Sequence, residues 1–173
     1  MTYREPKLHA GHMEVAVAKL IGWRQHTIVP NVSWGLGLRH EAVMLVLDKS
    51  NRLTEVEIKI SKSDLKADLS KRHGHASSII SRLVYAVPDD LVEIASQILP
   101  NSVGIISVRW DGYIGAFKAK WVRNCKHNKT RRPDDKQIIK MAQLGCMRIW
   151  SLKERLIESK YAKDRIGISP ENR

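Results

Sequence analysis

Two cysteines, one phenylalanine and no apolar run beyond strand length are the first things this chain withholds. Cys125 and Cys146 alone build no disulfide framework, which points to a reducing compartment. A membrane-spanning helix needs roughly 18 to 20 consecutive apolar residues, and no such stretch exists, so no membrane partner is expected. Met1 to His12 lacks the apolar segment of a signal peptide and carries Arg4, Glu5 and Lys7. The expectation is a cytoplasmic chain. Gly35-Leu-Gly37 lacks the further glycine and the lysine of a phosphate cradle. No Ser-His-Asp grouping, internal repeat or low-complexity tract stands out.

What is present suffices for one ordinary domain: 173 residues, 43% of them hydrophobic. Thirty Lys and Arg against eighteen Asp and Glu give a net charge of +12. The excess is uneven. Met1 to Phe117 holds 14 basic and 12 acidic residues, a surplus of +2, whereas Lys118 to Arg173 holds 16 and 6, a surplus of +10. Phosphates neutralised by Lys and Arg release counterions, so such polarity suits a polyanion, and DNA is the expected partner. The competing explanation is a solubilising tail.

Apolar spacing predicts a helix over His12 to Trp23, a strand over Thr27 to Ser33, and strands over Glu41 to Leu47 and Leu53 to Ile60 joined by the Asp48-Lys-Ser-Asn51 turn. Ser63 reads as the cap of a helix from Asp64 towards Lys71. A short helical stretch after His75, a strand at Leu83 to Val87, a helix at Asp89 to Leu99, a strand at Val103 to Val108 and its hairpin return at Trp110 to Ala119 follow. Asn124 to Asp135 reads as a basic loop, and Lys136 to about Lys160 as one helix or two. The order α-β-β-β-α-β, then a further αβ unit and a helical tail, predicts an α/β fold: a mixed sheet flanked by helices. A division into a core at 9–119 and a basic helical extension at 120–173, packed on it, is expected.

One strand departs from the usual pattern. Side chains alternate along a strand, so in Leu53 to Ile60 the residues Glu55, Glu57 and Lys59 share one face. Glu57-Ile58-Lys59 thus sets a carboxylate and an ammonium side by side on a rigid element. Glu41, at the start of the preceding strand, and Glu14, on the first helix, can converge on it. Hydrolysis of a phosphodiester with Mg²⁺ or Mn²⁺ needs oxygen ligands for the metal and a cation for the water or the transition-state charge. Glu41, Glu57 and the carbonyl of Ile58 supply the first, with Glu14 ligating or supporting, and Lys59 supplies the second.

Glu14, Glu41 and Glu57-Ile-Lys59 follow the layout of the PD-(D/E)XK nuclease superfamily. Glu55-Val-Glu-Ile-Lys-Ile-Ser-Lys-Ser-Asp-Leu-Lys-Ala-Asp68, with Arg82-Leu-Val-Tyr-Ala-Val-Pro-Asp-Asp90 further on, resembles the MmcB-type bacterial DNA-repair proteins within it. The resemblance covers about His12 to Val108. It implies a restriction-endonuclease-like core, a Mg²⁺-dependent DNA endonuclease or repair nuclease, and a catalytic set of Glu41, Glu57 and Lys59 with Glu14. It permits a homodimer. One departure is that Glu41 stands where the pattern usually has Asp. Lys62, Lys66, Lys71 and Arg72, and Lys126, Lys129, Arg131 and Arg132 in the tail, would hold the DNA backbone.

Each feature has an ordinary alternative. Glu55, Glu57 and Lys59 also fit the solvated face of an edge strand. Glu14 fits a first-turn acid complementing the helix dipole, Asp48 a turn former, and Asp68 a partner for Lys71 or Arg72. Cys125, His127 and Cys146 give three zinc-type ligands without a fourth. Trp110, Tyr113 and Trp121 fit base stacking or core packing equally. The rival function is a catalytically silent member of the fold that binds DNA or a protein partner as an accessory in repair or mobile-element biology. A purely structural interaction protein is a third reading.

Overall fold

A computed structural model describes residues 3–38, 40–69 and 77–165, with side chains as far as Tyr161. Helix α1 (Ala10–Ile21) precedes strands β1 (Thr27–Val32), β2 (Ala42–Leu47) and β3 (Leu53–Ile58). Helix α2 (Lys62–Leu69), strand β4 (Ile80–Pro88), a short 3-10 turn, helix α3 (Val92–Ile98), strands β5 (Gly104–Asp111) and β6 (Ala116–Arg123) and helix α4 (Asp135–Arg165) follow. The six strands form one sheet in chain order. β3 runs parallel to β4 and β4 to β5, while the other neighbours are antiparallel. The mixed α/β sheet is therefore observed.

Local chemistry explains the element ends. Gly22 stops α1 in the left-handed conformation at φ 95°, its N–H donating to the Ala18 carbonyl. The Asp48 carboxylate accepts the N–H groups of Ser50 and Arg52, which makes it the turn former of the β2–β3 hairpin. Asp134 and Gln137 cap α4 reciprocally, side chain to backbone in both directions. The tail helix is thus a single 31-residue element. The expected helical stretch before β4 is not seen in its described part, since Ser77 to Ile79 form a bend leading into the strand. β6 runs on to Arg123, paired with β5 across the boundary expected at 119 and 120.

The two sheet faces carry different cores. Met13, Ala16 and Val17 of α1 pack on Val56, Ile58, Val84, Ala86 and Ile106. On the other face Met141 and Leu144 of α4 cover Val29, Leu45 and Leu47, while Leu65 of α2 and Ala95 of α3 cover Tyr85, Val87 and Ile105. β3 lies between these last two clusters and is buried along its whole length. That excludes the edge-strand reading of its charged face, because β3 has strands on both sides and helices above and below.

Candidate functional site

On the α2 and α4 face, β3 exposes charge to the protein interior rather than to water. Glu55 is 0%, Glu57 2% and Lys59 5% accessible. Lys59 Nζ donates to Glu57 Oε2 at 2.8 Å and contacts Asp68 Oδ1 at 3.0 Å. Tyr85 OH donates to Asp68 Oδ2 at 2.6 Å. His40 Nε2 lies 2.6 Å from Glu55 Oε1. Two features of the chain bring these groups together. The parallel pairing of β3 and β4 sets Glu57 level with Tyr85. The α2 crossover returns over the same face, burying Leu65 and, three residues on, Asp68.

Electrostatics follows from burial and partners. Burial by itself would lower the Lys59 pKa, but hydrogen bonds to Glu57 and Asp68 and their charges prevail and raise it above the ordinary 10.5. Lys59 is therefore a fixed cation at neutral pH. Burial, then the bond to Asp68, raises the Tyr85 hydroxyl above its ordinary 10.0 and holds it as a neutral donor. Both groups keep their protons more firmly folded than unfolded. Their contribution is complete below about pH 10, weakens once the unfolded chain begins to lose protons there, and for Lys59 is lost as pH rises through its folded pKa. We expect a urea midpoint that declines above about pH 10 in the wild type and declines less in Tyr85→Phe. Equal slopes in the two proteins would remove Tyr85 from this account.

The residues marked in the sequence fall into three groups. Glu57 and Lys59 are together. Glu41 is exposed and directly precedes β2; the β2–β3 pairing runs from Leu47 with Leu53 to Met44 with Val56 and stops short of both Glu41 and Lys59. Ile58 ends β3 with its side chain in the α1 core. Glu14 lies in the second turn of α1, not the first, and α1 covers the opposite face of the sheet from Glu57 and Lys59. Burial raises its pKa. Lys62 and Lys66 are exposed on α2, and Lys71 and Arg72 lie outside the described residues.

The basic loop comes to the site by its own backbone bonds. Lys126, Asn128 and Arg131 donate their N–H groups to the carbonyls of Ser102, Ser81 and Ser78. Lys126, Asn128 and Thr130 thereby line a cavity of about 450 Å³ together with Asp68 and Tyr85. Lys129, Arg131 and Arg132 are exposed beside them. Sequence reasoning missed Tyr85, His40 and the role of Asp68. For Asp68 a signal existed, since Leu65 and Asp68 share one helix face, and burying the first buries the second.

Oxygen donors alone suit Mg²⁺ or Mn²⁺ in kind. Among the described residues no three His, Cys, Asp or Glu side chains stand as a ready metal cluster. This holds equally for Cys125, His127 and Cys146. Lys59 bridges Glu57 and Asp68, and Glu41 is exposed just before β2.

Fold and site together define an α/β protein whose central strand carries a buried carboxylate–lysine cluster beside a basic loop. Residues 5–155 match the family described as DNA repair protein MmcB-like, and the chain belongs to that family. No curated protein matches it. A solved structure titled "SPO1766 protein of unknown function from Silicibacter pomeroyi" is similar at 20% identity and a TM-score of 0.60, over 90% of this chain and 96% of that one. That likeness concerns the fold. Among the described residues no helix is long and apolar enough to cross a membrane.

Proposed function

We propose that this DNA-repair family member is a metal-dependent DNA nuclease of the PD-(D/E)XK type, with Glu57 and Lys59 as its working pair. The observation that carries the reading is the buried Glu57–Lys59 contact at 2.8 Å at the end of a central strand, joined through Asp68 to a cavity lined by the basic loop. Lys59, held protonated by two carboxylates, serves as a cation that stabilises charge developing on the phosphate, not as a base for the attacking water. Asp68, itself held by the Tyr85 hydroxyl, keeps the Lys59 ammonium in place. Mg²⁺ or Mn²⁺, held by Glu57 and Glu41 with the Ile58 carbonyl, would polarise the phosphodiester and supply a nucleophilic water. Glu14 is left a supporting role at most by its place on the other face.

Cleavage of a labelled panel (duplex, single strand, flap and four-way junction) with Mg²⁺ and with Mn²⁺ tests the reading. Metal-dependent cutting that tracks Glu57 is expected. Salt-sensitive DNA binding with no cutting under either metal would instead establish the accessory, catalytically silent reading. One observation favours that second reading: Lys59 already holds Glu57, which would ligate the metal, and ties it to Asp68.

The basic loop gives a separate expectation. Changing Lys126, Lys129, Arg131 and Arg132 to glutamine should flatten the salt dependence of DNA binding, each lost phosphate contact reducing the log–log slope by about 0.9 for duplex and 0.7 for single strand. A slope unchanged from the wild type would place the footprint elsewhere.

A further inference from the structure

A second cavity, of about 470 Å³, lies on the α1 face of the sheet, away from Glu57 and Lys59. Leu20, Ile21 and Val46 give it apolar walls, Trp121 an aromatic one, and Asp48, Arg82 and His26 a polar floor. The loop after β6 serves both cavities alternately: Cys125 and His127 line this one, Lys126 and Asn128 the other. The guanidinium of Arg82 decides what the cavity can recognise. Its Nε and Nη2 both donate to one ring nitrogen, His127 Nε2, at 3.0 and 2.7 Å. That edge presents two parallel donors suited to two acceptors, yet a single acceptor on an exposed loop residue occupies it. Nη1 lies 3.4 Å from Asp48 Oδ2, so an acceptor stands next to the donor pair. His26 Nδ1 is buried with no hydrogen-bond partner among the described residues, a state that buried polar groups rarely keep.

We propose that this cavity binds a guanine base. Guanine offers N7 and O6 as adjacent acceptors, the pair that an arginine fork takes. Its neighbouring N1–H and amino group are donors for Asp48, and its ring face fits against Trp121. Adenine sets a donor beside its N7 acceptor and mismatches the fork. A bare phosphate suits the fork but meets the Asp48 carboxylate. The incoming base replaces the His127 ring on Arg82, and His26 Nδ1 gains a partner. The base can come from a free nucleotide or from an unpaired position in a DNA strand, since both present the same edge.

Calorimetric titration of the whole protein with dGMP, dAMP, inorganic phosphate, and single-stranded oligonucleotides with and without one guanine tests this. We expect guanine to bind at least about tenfold tighter than adenine, as dGMP if the source is a free nucleotide and only within the oligonucleotide if it is a strand. Arg82→Lys, which keeps the charge and loses the fork, should abolish that preference, with circular dichroism confirming the fold. His127→Ala, which uncovers the fork, should tighten guanine binding. Equal affinity for guanine and adenine, phosphate binding as tight as dGMP, or an Arg82→Lys variant that keeps the preference each overturns the proposal. Glu57→Gln should leave this binding untouched, so the outcome is independent of the nuclease reading.

Discussion

Lys59→Ala is expected to lower the unfolding free energy by about 3–5 kcal/mol in urea denaturation at pH 7. The size follows from what is left behind. Glu57 and Asp68 are 2% accessible, and each keeps its carboxylate buried after the ammonium between them has gone. The deficit should shrink as pH falls, because removing a cation raises carboxylate pKa values and protonation then relieves the buried charge. A triple variant, Lys59→Met with Glu57→Gln and Asp68→Asn, should recover much of the loss by removing charge instead of stranding it. A Lys59→Ala midpoint equal to the wild type would mean that these ion pairs contribute nothing to the fold. Lys59→Ala is therefore a poor probe of catalysis on its own: lost cutting and lost folding arrive together.

Glu57→Gln avoids that confusion, and its expected effect is a fall in metal-dependent DNA cutting of about 10²–10³-fold. The glutamine oxygen still accepts from Lys59, so stability should drop by only about 1–2 kcal/mol, the range for weakening one charge-assisted bond. The charge that would draw Mg²⁺ is gone. Metal titration should therefore show lost Mg²⁺ affinity in a protein whose urea midpoint is little changed. Glu41→Gln, at an exposed position, should leave stability within about 0.5 kcal/mol while reducing cutting. Wild-type cutting rates in Glu57→Gln would remove this carboxylate from the chemistry, and normal Mg²⁺ binding in it would remove it from the metal site.

The sequence made much of this legible because the relevant signals were local. Alternation in Leu53 to Ile60 placed Glu55, Glu57 and Lys59 on one face, and they share it. The Asp48 turn, the strand order and the basic loop at Asn124 to Asp135 appear where apolar spacing and turn chemistry put them. Glu14 shows where such reading stops. A start two residues too late made it a first-turn acid, and no periodicity tells which side of the sheet a helix covers. β3 itself is the second case: six residues bearing two acids suit an edge strand by pattern, yet this strand is central.

The chain alone determined that a carboxylate and an ammonium sit two residues apart on one face, at the end of a strand, and that positive charge gathers after Lys118. These follow from backbone geometry and from composition. Tertiary structure alone decided what that pair touches. The parallel β3–β4 register brought Tyr85 level with Glu57, and the crossover through α2 carried Asp68 onto Lys59. The return of the loop after β6 set Lys126 beside one cavity and His127 beside the other. Those residues lie 9 to 68 positions from Lys59 in the chain. Their meeting rests on strand pairing and helix packing between distant segments, which residue spacing along one segment does not encode.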